Sequence, residues 1–124
     1  MRGLRICSAA ILVLASAASA QITDKQQQMH WYYLQKLAID TKELESCFFN
    51  PNEIKGVREA YYRRMDELAT LIEDYVAQYS ETRGKEESVP AFRYRVWDTT
   101  LGVGVNKARP SSELIPALCD TLAK

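Results

Sequence analysis

The strongest constraint on the fold is an apolar stripe in the middle of the chain, where apolar side chains recur every three or four residues. This spacing is typical of one face of an α-helix. The stripe comprises Ile54, Val57, Tyr61, Met65, Leu68, Ile72, Tyr75 and Tyr79. The spacing of these residues is closer to that of a straight helix than to a strict seven-residue repeat, which favours a globular helical bundle over a long coiled coil. We expect a helix over 51–82 that stops before Gly84 and contains Gly56, at a cost of about 1 kcal/mol relative to alanine.

A second amphipathic segment precedes this helix and predicts a helix over 24–48. Its inner face is predicted to carry Tyr33, Leu37, Leu44, Cys47 and Phe48. Asn50, Pro51 and Glu53 follow as a helix cap, a first-turn proline and the acidic partner of a capping box. We therefore expect an antiparallel hairpin in which residues equidistant from Asn50 face each other, which sets Trp31 close to 68–72.

The segment 89–106 fits two interpretations. A helical face would contain Val89, Phe92, Val96, Thr100 and Val103. The residues around Phe92 and Val103 also alternate as in a β-hairpin, and Gly102 and Gly104 are poor helix formers. A tight hairpin lacks its preferred turn residues at 98–100. We expect a helix that ends near Leu101, with the hairpin as the alternative.

The last segment predicts a short helix over about 111–123, which begins after Pro110 and is capped by Ser111 or Ser112. Its apolar side chains are Leu114, Leu118, Cys119 and Leu122. Pro116 is tolerated only in the first turn. The predicted fold is thus a mainly α domain in which 89–106 and the C-terminal helix cover a helical hairpin.

Cys47 and Cys119 are the two cysteines that follow the N-terminal segment. Their spacing matches neither a Cys-x-x-Cys redox motif nor a zinc site, so we predict a disulfide between them. A loop of this length, closed by a disulfide, stabilises a small domain by about 4 kcal/mol in the chain-entropy model.

The first twenty residues predict export. Arg2 and Arg5 precede an apolar run over 9–18, and Ala18-Ser19-Ala20 matches the small-residue pattern of a signal-peptide cleavage site. Cleavage after Ala20 would leave 21–124 as one small domain. The alanine-rich signal and the absence of an Asn-x-Ser/Thr acceptor favour a bacterial periplasm over an extracellular space.

Charge argues against nucleic acid as a partner. Loss of Arg2 and Arg5 would leave 14 basic residues against 16 acidic ones, a net charge of −2. This balance produces no positive field for a phosphate backbone or an anionic membrane. No apolar run reaches the roughly 20 residues that a membrane span needs.

Catalytic and metal-binding motifs are absent from the sequence. We find no nucleophile elbow, zinc-binding helix, phosphate-binding glycine loop or haem-attachment motif. The lone His30 lacks a partner at metal-ligand spacing, since Leu34 stands four residues on. We therefore predict no catalytic residue, metal ligand or cofactor.

Aromatic residues supply the remaining candidates for a binding site. Trp31, Tyr32 and Tyr33 are consecutive, so they cannot all face one core. Tryptophan, tyrosine and arginine are enriched at protein-binding hot spots. The candidate partner-binding residues are Trp31, Tyr32, Phe92, Arg93, Tyr94, Arg95 and Trp97. Core packing is the alternative role for the same aromatic residues.

Three functions fit these observations. The first is a non-enzymatic protein that binds another envelope or secreted protein, such as an inhibitor, an immunity protein or an assembly factor. The second is a small-molecule or metal-binding bundle in which Tyr33, Tyr61, Tyr75 and His30 converge. The third is a small helical enzyme of chorismate mutase type, which requires Lys36, Arg58 and Arg64 to point into one pocket.

Overall fold

Helices account for almost all of the described chain. The computed structural model describes the backbone of residues 4–48 and 56–124, and the side chains of 24–48 and 56–124. Its α-helices are α1 (Leu4–Cys47), α2 (Val57–Tyr79), α3 (Val89–Lys107) and α4 (Pro116–Leu122), and Ser80–Thr82 and Ser111–Glu113 form 3₁₀ turns. α1 begins well before the predicted residue 24, because the segment that precedes this residue is rich in the helix formers alanine and leucine.

The chain divides into two units at the boundary between His30 and Trp31. In the first unit the described side chains, 24–30, are exposed except for the partly buried Gln27. The second unit contains the rest of α1 and all of α2, α3 and α4. None of the helices formed by described residues is long and apolar enough to cross a membrane.

The larger apolar core of the second unit lies where α1, α2 and α3 meet. Its buried side chains are Leu34, Leu37, Ala38, Leu68, Ile72, Tyr75, Val76, Tyr79, Phe92 and Val96. All three helices contribute, which confirms the predicted helical hairpin and its covering third segment. Burial of these side chains is the main term that holds the three helices together.

A smaller core surrounds the disulfide. The Cys47 and Cys119 sulfur atoms are bonded, which confirms the predicted pairing of residues 72 positions apart. The buried residues around them are Leu44, Val57, Ala60 and Leu114. The disulfide thus joins the end of α1 to α4 next to the beginning of α2.

The register of the hairpin differs from the prediction. The Trp31 and Tyr75 ring centroids lie 5.5 Å apart, and the Tyr61 hydroxyl donates a hydrogen bond of 3.1 Å to Glu45. Both pairs are centred three residues beyond Asn50. The centre moves along the chain because α2 begins at Val57 rather than at residue 51.

Gly56 explains where α2 begins. Its φ of +89° lies in the left-handed region that side chains with a Cβ rarely adopt, so it precedes the helix and does not lie inside it as predicted. The predicted cap at Asn50, Pro51 and Glu53 lies outside the described residues. At its other end α2 stops at Tyr79, and the predicted continuation to Thr82 is a 3₁₀ turn.

The inner faces of the hairpin are broader than the predicted stripes. Tyr33 is half exposed, while Leu34 and Ala38 are buried. This correction arises because α1 packs against α2 and α3 together, so two adjoining sides of α1 are covered. On α2 the predicted inner residue Met65 remains 36% exposed.

The segment 89–106 is helical, and the helix continues to Lys107, past the predicted end near Leu101. Ser88 caps its first turn by accepting a hydrogen bond of 3.2 Å from the Ala91 amide. The glycine at position 104 is present for packing and does not mark the end of the helix, because a Cβ on this residue would lie 2.8 Å from the Ala38 carbonyl oxygen. Close packing of α3 on α1 therefore requires a residue that is a poor helix former.

The C-terminal helix starts later than predicted. Ser111–Glu113 forms a 3₁₀ turn, and α4 begins only at Pro116. Proline lacks an amide hydrogen and clashes with the preceding turn, so a helix can begin at this residue but cannot pass through it.

An ion pair between the buried Glu43 and the partly exposed Arg109 fixes the connection between α3 and α4. Glu43 is 2% exposed and accepts three hydrogen bonds from Arg109: 2.7 Å from the backbone amide, 3.0 Å from Nε and 2.8 Å from Nη2. Burial by itself raises the pKa of Glu43. The hydrogen bonds and the positive charge of Arg109 together lower this pKa by more, so it lies below its usual value.

The two glycines of α3 predict opposite responses to the same substitution. Gly104→Ala should destabilise the fold by about 1 to 3 kcal/mol, because the new Cβ would overlap the α1 backbone. Gly102→Ala should stabilise it by about 0.5 to 1 kcal/mol, since its Cβ would meet no atom within 4 Å. Urea unfolding of the two variants measures both effects, and equal effects of the two substitutions would contradict this packing.

Glu43→Gln should lower the free energy of unfolding at pH 7 by about 2 to 3 kcal/mol, because Arg109 loses its anionic partner. The folded pKa of Glu43 lies below the unfolded value near 4.5, so the contribution of the ionised carboxylate is complete above that pH. It is lost as the pH falls through the folded pKa. The difference between wild type and variant should therefore shrink in acid, whereas Asp120→Asn, at an exposed ion pair, should have little effect at any pH.

Candidate functional site

The predicted partner-binding residues fall into a buried set and an exposed set. Phe92 is 2% exposed and belongs to the core, so the structure removes it from the candidate surface. Its position follows from the helical state of 89–107, which places Phe92 and Val96 on the same inner face of α3.

Both tryptophans are partly buried against the same core. The Trp31 ring packs on Tyr75, which also lies 4.8 Å from Tyr79 and 6.5 Å from Phe92 between ring centroids. Trp97 donates its indole N–H to Glu73 at 2.6 Å. These tryptophans serve mainly as packing residues that join α1 and α3 to α2.

The two candidate arginines are held by carboxylates of the same chain. Arg93 Nε lies 2.8 Å from Glu73, on the oxygen that also accepts from Trp97. Arg95 donates two hydrogen bonds, of 2.7 and 2.9 Å, to Glu87. The guanidinium of Arg95 also lies 5.1 Å from the centre of the Phe92 ring.

Glu87 connects α3 to the loop that precedes it. The hydrogen bonds from Arg95 and from the Gly84 amide lower the pKa of Glu87 to about 2, so its carboxylate stays ionised. Arg83 donates from Nε to the Glu87 carbonyl oxygen at 3.0 Å. The charged residues of this region therefore orient the beginning of α3.

Tyr32 and Tyr94 of the predicted residues are exposed, as is Tyr33 next to Tyr32, and we term these three side chains the tyrosine surface. Tyr32 and Tyr94 are each 71% exposed, and Tyr33 is 49% exposed. Tyr32 and Tyr33 follow Trp31, and Tyr94 stands two residues after Phe92. Because Trp31 and Phe92 both pack on Tyr75, the neighbouring Tyr32, Tyr33 and Tyr94 lie towards the end of the unit remote from the disulfide.

The tyrosines proposed for a ligand or metal site do not converge. Tyr61 packs on Phe48 at 4.9 Å next to the disulfide core, whereas Tyr75 lies in the larger core. Tyr33 is on the surface, and His30 belongs to the other unit. Among the described residues, no group of three or more histidine, cysteine or acidic side chains is placed to hold a metal ion.

The cations required for an enzyme of chorismate mutase type also lie apart. Lys36 pairs with Asp40 at 3.2 Å on an exposed part of α1. Arg58 lies over the Phe48 ring, 5.0 Å from its centre, and Arg64 Nη2 reaches the Leu122 carbonyl oxygen at 3.5 Å. Within the described part of the chain, these three side chains are thus held by separate contacts.

Sequence reasoning missed the carboxylates that organise the structure, namely Glu43, Glu73 and Glu87. One signal for Glu43 was available: it lies four residues before Cys47, and positions i and i+4 share a helix face. The partners of Glu73 and Glu87 had no such signal, because their pairing depends on how α3 packs against α2.

Comparison with known proteins adds no functional assignment. No protein-family model matches the chain, and no curated protein or solved structure matches it either.

Proposed function

We propose that this chain is an exported, non-enzymatic accessory protein that binds another envelope or secreted protein through the tyrosine surface. The observation that carries the proposal is the exposure of Tyr32 and Tyr94 beside a core that already contains Trp31, Tyr75 and Phe92. Tyrosine combines a large apolar ring with a hydroxyl that forms hydrogen bonds, and this combination is enriched at protein interfaces.

The side-chain hydrogen bonds that hold α3, the helix that carries Tyr94, favour binding. Glu73 joins α2 to α3 through Arg93 and Trp97, and Glu87 joins α3 to the preceding loop through Arg95. Tyr94 therefore lies on a helix that these bonds hold in place, and a surface that is ordered before binding gains affinity. Arg93 and Arg95 therefore support the surface and are not expected to anchor the partner.

Export is supported by two independent features. The first twenty residues have the pattern of a cleavable signal, and the Cys47–Cys119 disulfide is of a kind that persists in oxidising compartments. We favour the periplasm, with cleavage after Ala20.

Export predicts a specific mature product in the source cells. Its first residue should be Gln21, and its two cysteines should resist alkylation until a reductant is added. Arg2→Glu with Arg5→Glu is the matched control, because removal of the positive charges that precede the apolar run should leave an uncleaved chain with reactive thiols. Wild-type protein recovered with residues 1–20 attached and with alkylatable cysteines would contradict export.

Partner binding predicts site-dependent cross-linking. A photo-reactive amino acid at position 32 or 94 should form an adduct with one defined protein of the same compartment. The matched control is position 62, because Tyr62 is also an exposed tyrosine, at 60%, but packs on Tyr61 at the disulfide end.

Affinity for the cross-linked protein provides the quantitative check. Tyr32→Ala or Tyr94→Ala should weaken its binding about tenfold, the effect of an interface residue worth roughly 1.4 kcal/mol, while Tyr62→Ala should leave it unchanged. Equal cross-linking from all three positions, or none from 32 and 94, would rule out this surface.

A further inference from the structure

A groove of about 240 Å³ lies where α1, α2 and α3 meet, outside the tyrosine surface. Most of its wall is apolar and comes from all three helices: Ala38, Met65, Leu68, Leu101 and Val105. Leu101 and Val105 are 44% and 60% exposed although they lie on a helix that packs against two others. The bundle therefore leaves an apolar concavity uncovered.

The groove is polar at one end only. α1 and α2 run antiparallel, so Ala38 and Leu68 line one end, and Lys42, Glu45 and Tyr61 line the other. Thr41 also lines the groove, but its hydroxyl already donates to the Leu37 carbonyl oxygen at 2.7 Å. The groups able to bind a polar atom are thus concentrated at the Glu45 end.

The polar end carries an ion pair, Lys42–Glu45, whose two groups can each form further hydrogen bonds. Lys42 Nζ lies 2.6 Å from Glu45 Oε1, and the Tyr61 hydroxyl lies 3.1 Å from Glu45 Oε2. A carboxylate accepts more than two hydrogen bonds, and an ammonium group donates three. A hydroxyl at this position would donate to Glu45 and accept from Lys42 together.

We propose that this groove binds a small neutral molecule made of one apolar ring and a single hydroxyl group. The volume fits this class, because an apolar cavity of about 150 Å³ holds benzene and drug-sized pockets begin at about 300 Å³. Neutrality follows from the Lys42–Glu45 pair, whose opposite charges give an ionic ligand no net attraction. The ring would lie against Met65, Leu68 and Leu101, and the hydroxyl would face Glu45.

The test uses 4-methylphenol as the probe, with toluene and 4-methylbenzoate for comparison. Titration of the disulfide-bonded protein is followed by NMR of its side-chain methyl groups. Saturable shifts are expected at Met65, Leu101 and Val105. Toluene should bind about tenfold more weakly because it leaves the polar end unpaired, and 4-methylbenzoate should bind more weakly still.

Two exposed valines of α3 provide a matched pair of variants. Val105→Phe should fill the groove and weaken 4-methylphenol at least about tenfold, whereas Val89→Phe, outside the groove, should leave its affinity unchanged. Both positions are exposed, so both variants are expected to fold, and thermal unfolding checks this.

Each result bears on a separate part of the proposal. Absence of saturable shifts at Met65 up to the solubility of 4-methylphenol would overturn the site. Equal affinities for 4-methylphenol and toluene would overturn the role of the Lys42–Glu45 end. Equal effects of the two valine substitutions would overturn the location.

Discussion

The close approach of α3 to α1 at Gly104 is the contact on which the rest of the second unit depends. A Cβ at this residue would lie 2.8 Å from the Ala38 carbonyl oxygen, so only glycine allows the two helices to pack at this distance. This contact brings Phe92 and Val96 onto the core of the hairpin and carries the chain to Arg109, where Glu43 binds it. The groove wall formed by Leu101 and Val105 has the same origin.

Polar contacts then determine how the packed helices are oriented. Burial of apolar surface favours association of α1, α2 and α3, but it is non-directional and tolerates small shifts. Glu43 and Glu73 each accept hydrogen bonds from two groups, and every one of these bonds crosses between segments that are distant in sequence. Such pairs contribute orientation more than net stability, because desolvation offsets much of the attraction at the buried Glu43, and solvent screens the charges of the exposed Glu73 and Arg93. The disulfide stabilises the fold in a different way, because it lowers the conformational entropy of the unfolded chain between Cys47 and Cys119.

The spacing of apolar residues predicted the helices of the hairpin. The presence of two cysteines after the N-terminal segment predicted the Cys47–Cys119 bond. Two of the errors concern glycines whose roles the pattern does not reveal. Gly56 and Gly104 were both treated as poor helix formers; the first precedes α2 at a positive φ, and the second lies inside α3 because Ala38 approaches it. Local propensity carries no information about that approach. The same limit applies to the candidate site, where Phe92 and Tyr94 are both aromatic residues of α3 but differ in exposure from 2% to 71%.

The fold requires some of the aromatic residues near the tyrosine surface but not the exposed tyrosines themselves. Three consecutive aromatic residues cannot share one helix face, and the core accepts Trp31 while Tyr32 remains in solvent. A polar residue at position 32 or 94 would suit an exposed helix position equally well, because neither tyrosine contributes to the buried cores. Packing therefore accounts for Trp31, Tyr75 and Phe92 but leaves the two tyrosines without a structural role. Binding to another protein is the role that we propose for them, because exposed tyrosines are enriched at protein interfaces.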